Sequence, residues 1–114
     1  MEWSNEHWQG EMSTLRSKID RLDNEILSLI VKRTEASRNI GKIKLSVGRP
    51  VFDPDREREV IENRINFSRA LGIDDEFVRK IMILMMDYSK RVQVIEMQKV
   101  NGKLFSAKIA NPAH

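Results

Sequence analysis

The residues able to do chemistry in this chain are cations, hydrogen-bond donors and one carboxylate. Arg33 stands in the middle of an apolar helical stripe, and Lys44 follows it by 11 positions. At about 100° per residue that spacing returns Lys44 to within roughly 20° of the same face, about 16 Å along the axis. The tips of two such long side chains can converge on one small anion. Arg16 precedes Arg33 by 17 positions, about 25 Å along a helix. Within one chain the two arginines are too far apart to share a small ligand; an antiparallel partner chain could supply its own Arg16. Glu57 shares a helical face with Val60, Ile61 and Arg64 and so looks inward. Ser89 and Gln93, four apart, stack on one face and continue the line of Met82, Met85 and Met86.

Each of these residues also has a plain structural reading that spacing leaves open. Arg33 can be half of a buried salt bridge, Lys44 a solvated lysine and Arg16 an ordinary surface residue. Glu57 can simply favour the first turn of a helix dipole. Ser89 and Gln93 can be a buried hydrogen-bonded pair between helices, and the methionines core filler. Taken together, the set contains no nucleophile–base pair, no metal-ligand cluster and no phosphate-binding loop. It suits an anionic small molecule and catalysis by electrostatic stabilisation rather than by covalent chemistry. The absence of cysteine excludes thiolate chemistry and Cys-bound zinc, and the two histidines, His7 and His114, sit at the chain ends.

The elements that must position these groups are helices. At 114 residues and 40% hydrophobic content the chain supports one domain with a core. No apolar run is long enough to span a bilayer. The opening MEWSNEHWQGEM carries charge where a secretory signal needs apolar residues, which predicts a cytoplasmic protein. The net charge of +3 is interspersed along the chain, permitting an anionic partner without calling for a nucleic acid. Gly48 with Pro50, then Gly72, then Gly102 mark off three segments rich in helix formers.

From Met12 to Val47, the residues Leu15, Ile19, Leu22, Ile26, Leu29, Arg33, Ala36, Ile40, Ile43 and Val47 repeat at heptad spacing. That is the seam along which one helix lies on another. Such a helix is about 50 Å long and overhangs any globule the remaining residues could build, so its seam predicts a dimer of two copies. A second helix starts at Asp53-Pro54, with Asp53 as N-cap, and stops at Gly72. A third starts after Asp74 and runs toward Gln98. The expected architecture is all-α: one long helix and two shorter ones in an intertwined homodimer. Residues 11–100 form the domain, with a flexible extension at 1–10 and a tail of unassigned role at 101–114.

Three pieces of this sequence resemble the all-helical chorismate mutases, the AroQ class. They are LRSKIDRLDNEILSLIVKR from Leu15, IGKIKLSVGRPVFDPDRERE from Ile40, and the Ser89–Gln93 pair. The resemblance covers about Leu15 to Gln93. It implies an interlocked helical dimer whose two sites are each completed by the partner protomer. It further implies a cofactor-free rearrangement of chorismate to prephenate, on the route to phenylalanine and tyrosine. By resemblance, Arg33 and the other chain's Arg16 match the clamps on the substrate's two carboxylates, helped by Ser89. Lys44 and Gln93 match the donors to the ether oxygen. Glu57 and the backbone at Asp53 match the groups that hold the ring hydroxyl, and Arg56 lies beside the site. A related family, isochorismate pyruvate lyase, shares the helical dimer and much of the arginine framework, but lacks a glutamate at the place of Glu57. A non-catalytic helical dimer that binds nucleic acid or protein is the remaining alternative, opposed by the dispersal of the basic residues.

Overall fold

The protein is described here from a computed structural model, which covers the backbone of residues 7–110 and the side chains of residues 7–102. Three helices follow one another: α1 (Trp8–Val47), α2 (Pro54–Ala70) and α3 (Asp75–Ala110). The chain divides into two units, residues 1–33 and 34–114.

The first unit is helical from Trp8 onward. Its seam residues Leu15, Ile19, Leu22, Ile26 and Leu29 are 44–62% exposed. Among the described residues, apolar side chains at this spacing hold no core position in the unit.

The second unit joins the last turns of α1 to α2 and α3. Both of its internal helix ends are closed by the same device. Gly48 and Gly72 adopt positive φ, 72° and 76°, a conformation that costs glycine little and other residues much. At the end of α1 the N–H of Arg49 donates to the carbonyl of Lys44 at 2.8 Å and that of Gly48 to Leu45 at 3.4 Å. At the end of α2 the N–H of Ile73 donates to Ser68 and that of Gly72 to Arg69, both at 3.1 Å. These are Schellman closures, which satisfy carbonyls that a helix end otherwise leaves unpaired.

The starts of the helices follow the sequence closely. Asp53 caps α2, its Oδ1 accepting from the N–H of Arg56 at 3.1 Å, with Pro54 at the first helical position. Asp74 caps α3, its Oδ2 accepting from the N–H of Phe77 at 2.9 Å. Across the intervening turn the Arg69 guanidinium grips Asp75, with Nη2 2.7 Å from Oδ2. This hydrogen bond holds the Asp75 carboxyl below its ordinary range and lifts Arg69 above its own. Each charge also sits at the helix end whose dipole favours it.

The core of this unit is small. Val60 and Ile65 of α2 and Met86 and Val92 of α3 are its buried apolar side chains. Ser68 is buried as well, its hydroxyl donating to the carbonyl of Ile65 at 2.9 Å. From α1 the buried residues are Thr34, Ser37 and Gly41. The inward stripe of α1 is therefore small and polar, offset from the apolar seam, and small residues let a neighbouring backbone come close. Lys42 Nζ, 3.7 Å from Glu96 Oε1, adds a charged tie between α1 and α3.

The helix ends extend past the sequence expectation. α1 begins at Trp8 rather than Met12, and α3 passes through Gly102 to Ala110. A single glycine inside a helix costs only about 1 kcal/mol relative to alanine, and the helix formers after Gly102 offset it. Of the segments expected to be accessory, residues 1–6 and 111–114 lie outside the described residues, as do the side chains from 103 onward. Among the described residues no helix is long and apolar enough to cross a membrane.

Candidate active site

Five of the seven residues singled out from the sequence lie in the second unit, and helix ends hold three of them. Lys44 belongs to the last turn of α1, where its carbonyl is already engaged by the Gly48 closure. Its ammonium is half-buried and donates to the carbonyl of Val51 at 2.8 Å, pulling the 48–53 turn against α1. Asp53 ends that turn as the cap of α2, and Glu57 follows one turn later.

Glu57 points inward, as its spacing with Val60 and Ile61 predicts. Its Oε1 accepts from Lys90 Nζ at 2.8 Å, and the two side chains are 24% and 30% exposed. Lys90 was not among the sequence candidates. The signal that would have found it is the inward-facing carboxylate of Glu57, since a half-buried charge calls for a counter-ion.

Ser89 hydrogen-bonds through Oγ to the Oγ of Ser37 on α1. This is an interhelical pairing of the kind that a polar residue at the end of an apolar stripe predicts, with Ser37 of α1 as the partner. Gln93 itself is 6% exposed, and its Oε1 is buried without a hydrogen-bond partner among the described residues. A buried amide oxygen left unpaired costs about 1–3 kcal/mol. The carbonyl and amino groups of a glutamine exchange places by rotation about the last side-chain bond. The same spot can therefore present an N–H donor to a group entering from outside the chain.

What lets Gln93 sit so deep is Gly41. A Cβ built at Gly41 would lie 3.0 Å from the Cα of Gln93 and 3.2 Å from both its Cβ and its carbonyl oxygen. These are mostly backbone atoms of α3, which cannot swing aside as a side-chain tip would. Lys44 lies three residues beyond Gly41 and so on a neighbouring turn of the same helix side. The close approach therefore brings the helix that carries Lys44 against the one that carries Gln93. Overpacking costs about 1–3 kcal/mol, and the better helix propensity of alanine returns about 1. Gly41→Ala is expected to lower the unfolding free energy in urea by about 1 kcal/mol. It should also cut turnover by more than that loss explains, because it displaces Gln93.

Arg16 and Arg33 belong to the first unit. Arg16 is exposed and lines an open groove along α1 with Trp8, Met12, Ser13, Ser17 and Asp20. Arg33 is half-buried. Arg56, whose place in the family pattern is beside the site, pairs with Glu59 on its own helix at 2.5 Å. Among the described residues no group of three His, Asp or Glu side chains could hold a metal ion.

Residues 15–94 match the family model described as chorismate mutase type II. The bifunctional chorismate mutase/prephenate dehydratase of Escherichia coli K12 is 34% identical over 104 residues, which is 90% of this chain and 27% of that protein. This chain thus spans about a quarter of the length of that relative. The chorismate mutase of Methanocaldococcus jannaschii is 27% identical over 93 residues, covering 82% of this chain and 94% of that protein. A solved structure of a conserved hypothetical protein from Pyrococcus furiosus is 36% identical with a TM-score of 0.59, over 73% of this chain and 95% of that one. With its all-helical fold and a family match across most of its length, the chain belongs to the chorismate mutase type II family.

Proposed function

We propose that this chain catalyses the rearrangement of chorismate to prephenate, on the route to phenylalanine and tyrosine, as a cytoplasmic homodimer without a cofactor. The observation that carries the reading is the buried Gln93 amide with its unpaired oxygen, packed on the helix that holds Lys44. The family match and the relatives named chorismate mutase supply the substrate class.

The reaction is a pericyclic shift, in which a C–O bond breaks as a C–C bond forms within one molecule. No proton has to leave or arrive, so no base or nucleophile is required. The substrate must be folded into a chair, and negative charge builds on the ether oxygen as the C–O bond lengthens. In this mechanism Arg33, and Arg16 from the partner chain, clamp the two carboxylates with help from Ser89. That fixes the reactive conformer and prepays the entropy of folding it. Lys44 and Gln93 donate to the ether oxygen and stabilise the charge that grows there. Glu57 and the backbone at Asp53 hold the ring hydroxyl. The exposed seam from Leu15 to Leu29 supports a second copy as the partner, since burying it removes a large apolar face from water.

The test is ultraviolet absorbance of chorismate with the purified protein, product identification, and isochorismate in a parallel cuvette. Loss of chorismate with prephenate as product is expected, with no pyruvate from isochorismate. Pyruvate release would make the protein a lyase instead, and inertness toward both substrates would mean that the scaffold serves another purpose.

A further inference from the structure

Lys90 has no role in the mechanism above, yet it touches the carboxylate assigned to the ring hydroxyl. It follows Ser89 directly and precedes Gln93 by three residues, within the same stretch of α3. Its ammonium donates to Glu57 Oε1 at 2.8 Å and lies 3.3 Å from Asp87 Oδ1, one turn back on its own helix. The ring of Phe52, in the turn that leads into α2, faces the ammonium at 5.1 Å from its centroid. Two carboxylates and an aromatic face therefore hold one cation, and they come from α2, α3 and the turn before α2. The hydrogen bond to Glu57, foremost among these contacts, raises the Lys90 pKa, so the ammonium stays charged at neutral pH.

A glutamate has three side-chain torsions, and an unrestrained one spends its time in many rotamers. A group that must meet a substrate hydroxyl works better when its orientation is fixed beforehand. We infer that Lys90 is a positioning residue of the substrate site: by holding Glu57 through Oε1, it presents the other carboxylate oxygen to the substrate's ring hydroxyl. This rests on the mutase reading. Lys90 acts through Glu57, not directly on the dianion, and the difference is measurable. A cation that merely attracted the substrate would matter whether or not Glu57 were ionised.

The experiment is a double-mutant cycle on kcat/KM for chorismate, using wild type, Lys90→Met, Glu57→Gln and the double variant, with circular-dichroism melts as the folding control. Lys90→Met is expected to lose on the order of tenfold, and Lys90→Arg to keep most of the activity. In the Glu57→Gln background Lys90→Met should cost less than about twofold more. A full tenfold loss in that background, or wild-type activity in Lys90→Met, overturns the inference and leaves the mutase reading standing. A wild-type protein that does not turn over chorismate overturns that reading and the role of Lys90 with it. Should Lys90→Met fail to fold, Lys90→Gln, polar and uncharged, replaces it in the same cycle.

Discussion

Gln93→Ala is expected to lower kcat for chorismate rearrangement by about 10²–10³-fold while the protein remains helical and folded. The magnitude is that of removing one preorganised donor from a site where charge develops on oxygen. The fold should tolerate the change because Gln93 Oε1 has no hydrogen-bond partner to lose among the described residues. Truncation removes a buried polar group along with the packing of the side chain beyond Cβ, and the two effects oppose each other, while the close contact with Gly41, made by Cα, Cβ and the carbonyl oxygen, is kept. A variant with wild-type circular dichroism and almost no turnover would thus separate catalysis from stability. Gln93→Glu sharpens the test. At neutral pH a carboxylate there would repel the developing charge, whereas the protonated acid can donate as the amide does. Activity of Gln93→Glu should therefore rise as pH falls, while the wild-type rate, relying on a neutral amide, changes little around neutrality. A flat profile in Gln93→Glu, or full activity in Gln93→Ala, would place the ether-oxygen donor elsewhere.

The parts of this molecule that were legible in the sequence are those where one residue does a local job. Asp53-Pro54 announces the start of α2 because an acceptor side chain and a preset φ satisfy the first turn, and the cap forms as read. Gly72 ends the same helix because positive φ is needed there. Gly102 looked equivalent, but no reversal of the chain follows it, and the helix carries on. The inward stripe of α1, Thr34, Ser37 and Gly41, escaped notice because hydrophobic periodicity finds apolar faces and these residues are small or polar. A cue did exist: glycine in the middle of a strong helical pattern is a standing cost, and close backbone approach is the usual reason for it. Lys90 escaped for a different reason. One lysine among many has no periodicity of its own, and its importance comes from what α2 and the preceding turn bring to it. The apolar seam from Leu15 follows from the spacing of its residues, and they are exposed, but a stripe alone does not say what covers it.

The proposed sharing of each site between two chains leads to the other large effect. Arg16→Ala should lose activity on the order of 10²-fold, the scale for removing one partner of a desolvated charge pair. It should barely affect folding, since Arg16 is exposed. When Arg16→Ala and Gln93→Ala chains are unfolded together in equal amounts and refolded, activity should return to roughly a quarter of the wild-type value. Random pairing puts half of the dimers in the mixed form. In a mixed dimer the site built on the Arg16→Ala chain keeps its own Gln93 and receives an intact Arg16 from its partner. The other site lacks both. Two nearly inactive proteins thereby make one working site per mixed dimer, an outcome that requires Arg16 to cross the interface. If Arg16 served its own chain, every site in the mixture would carry one lesion and activity would stay near zero. Size-exclusion chromatography of differently tagged chains shows whether mixed dimers formed, so a silent mixture would count against the shared site rather than against mixing. The spacing argument points to recovery: about 25 Å of helix separates Arg16 from Arg33, too far for both to hold one small dianion unless two chains meet around it.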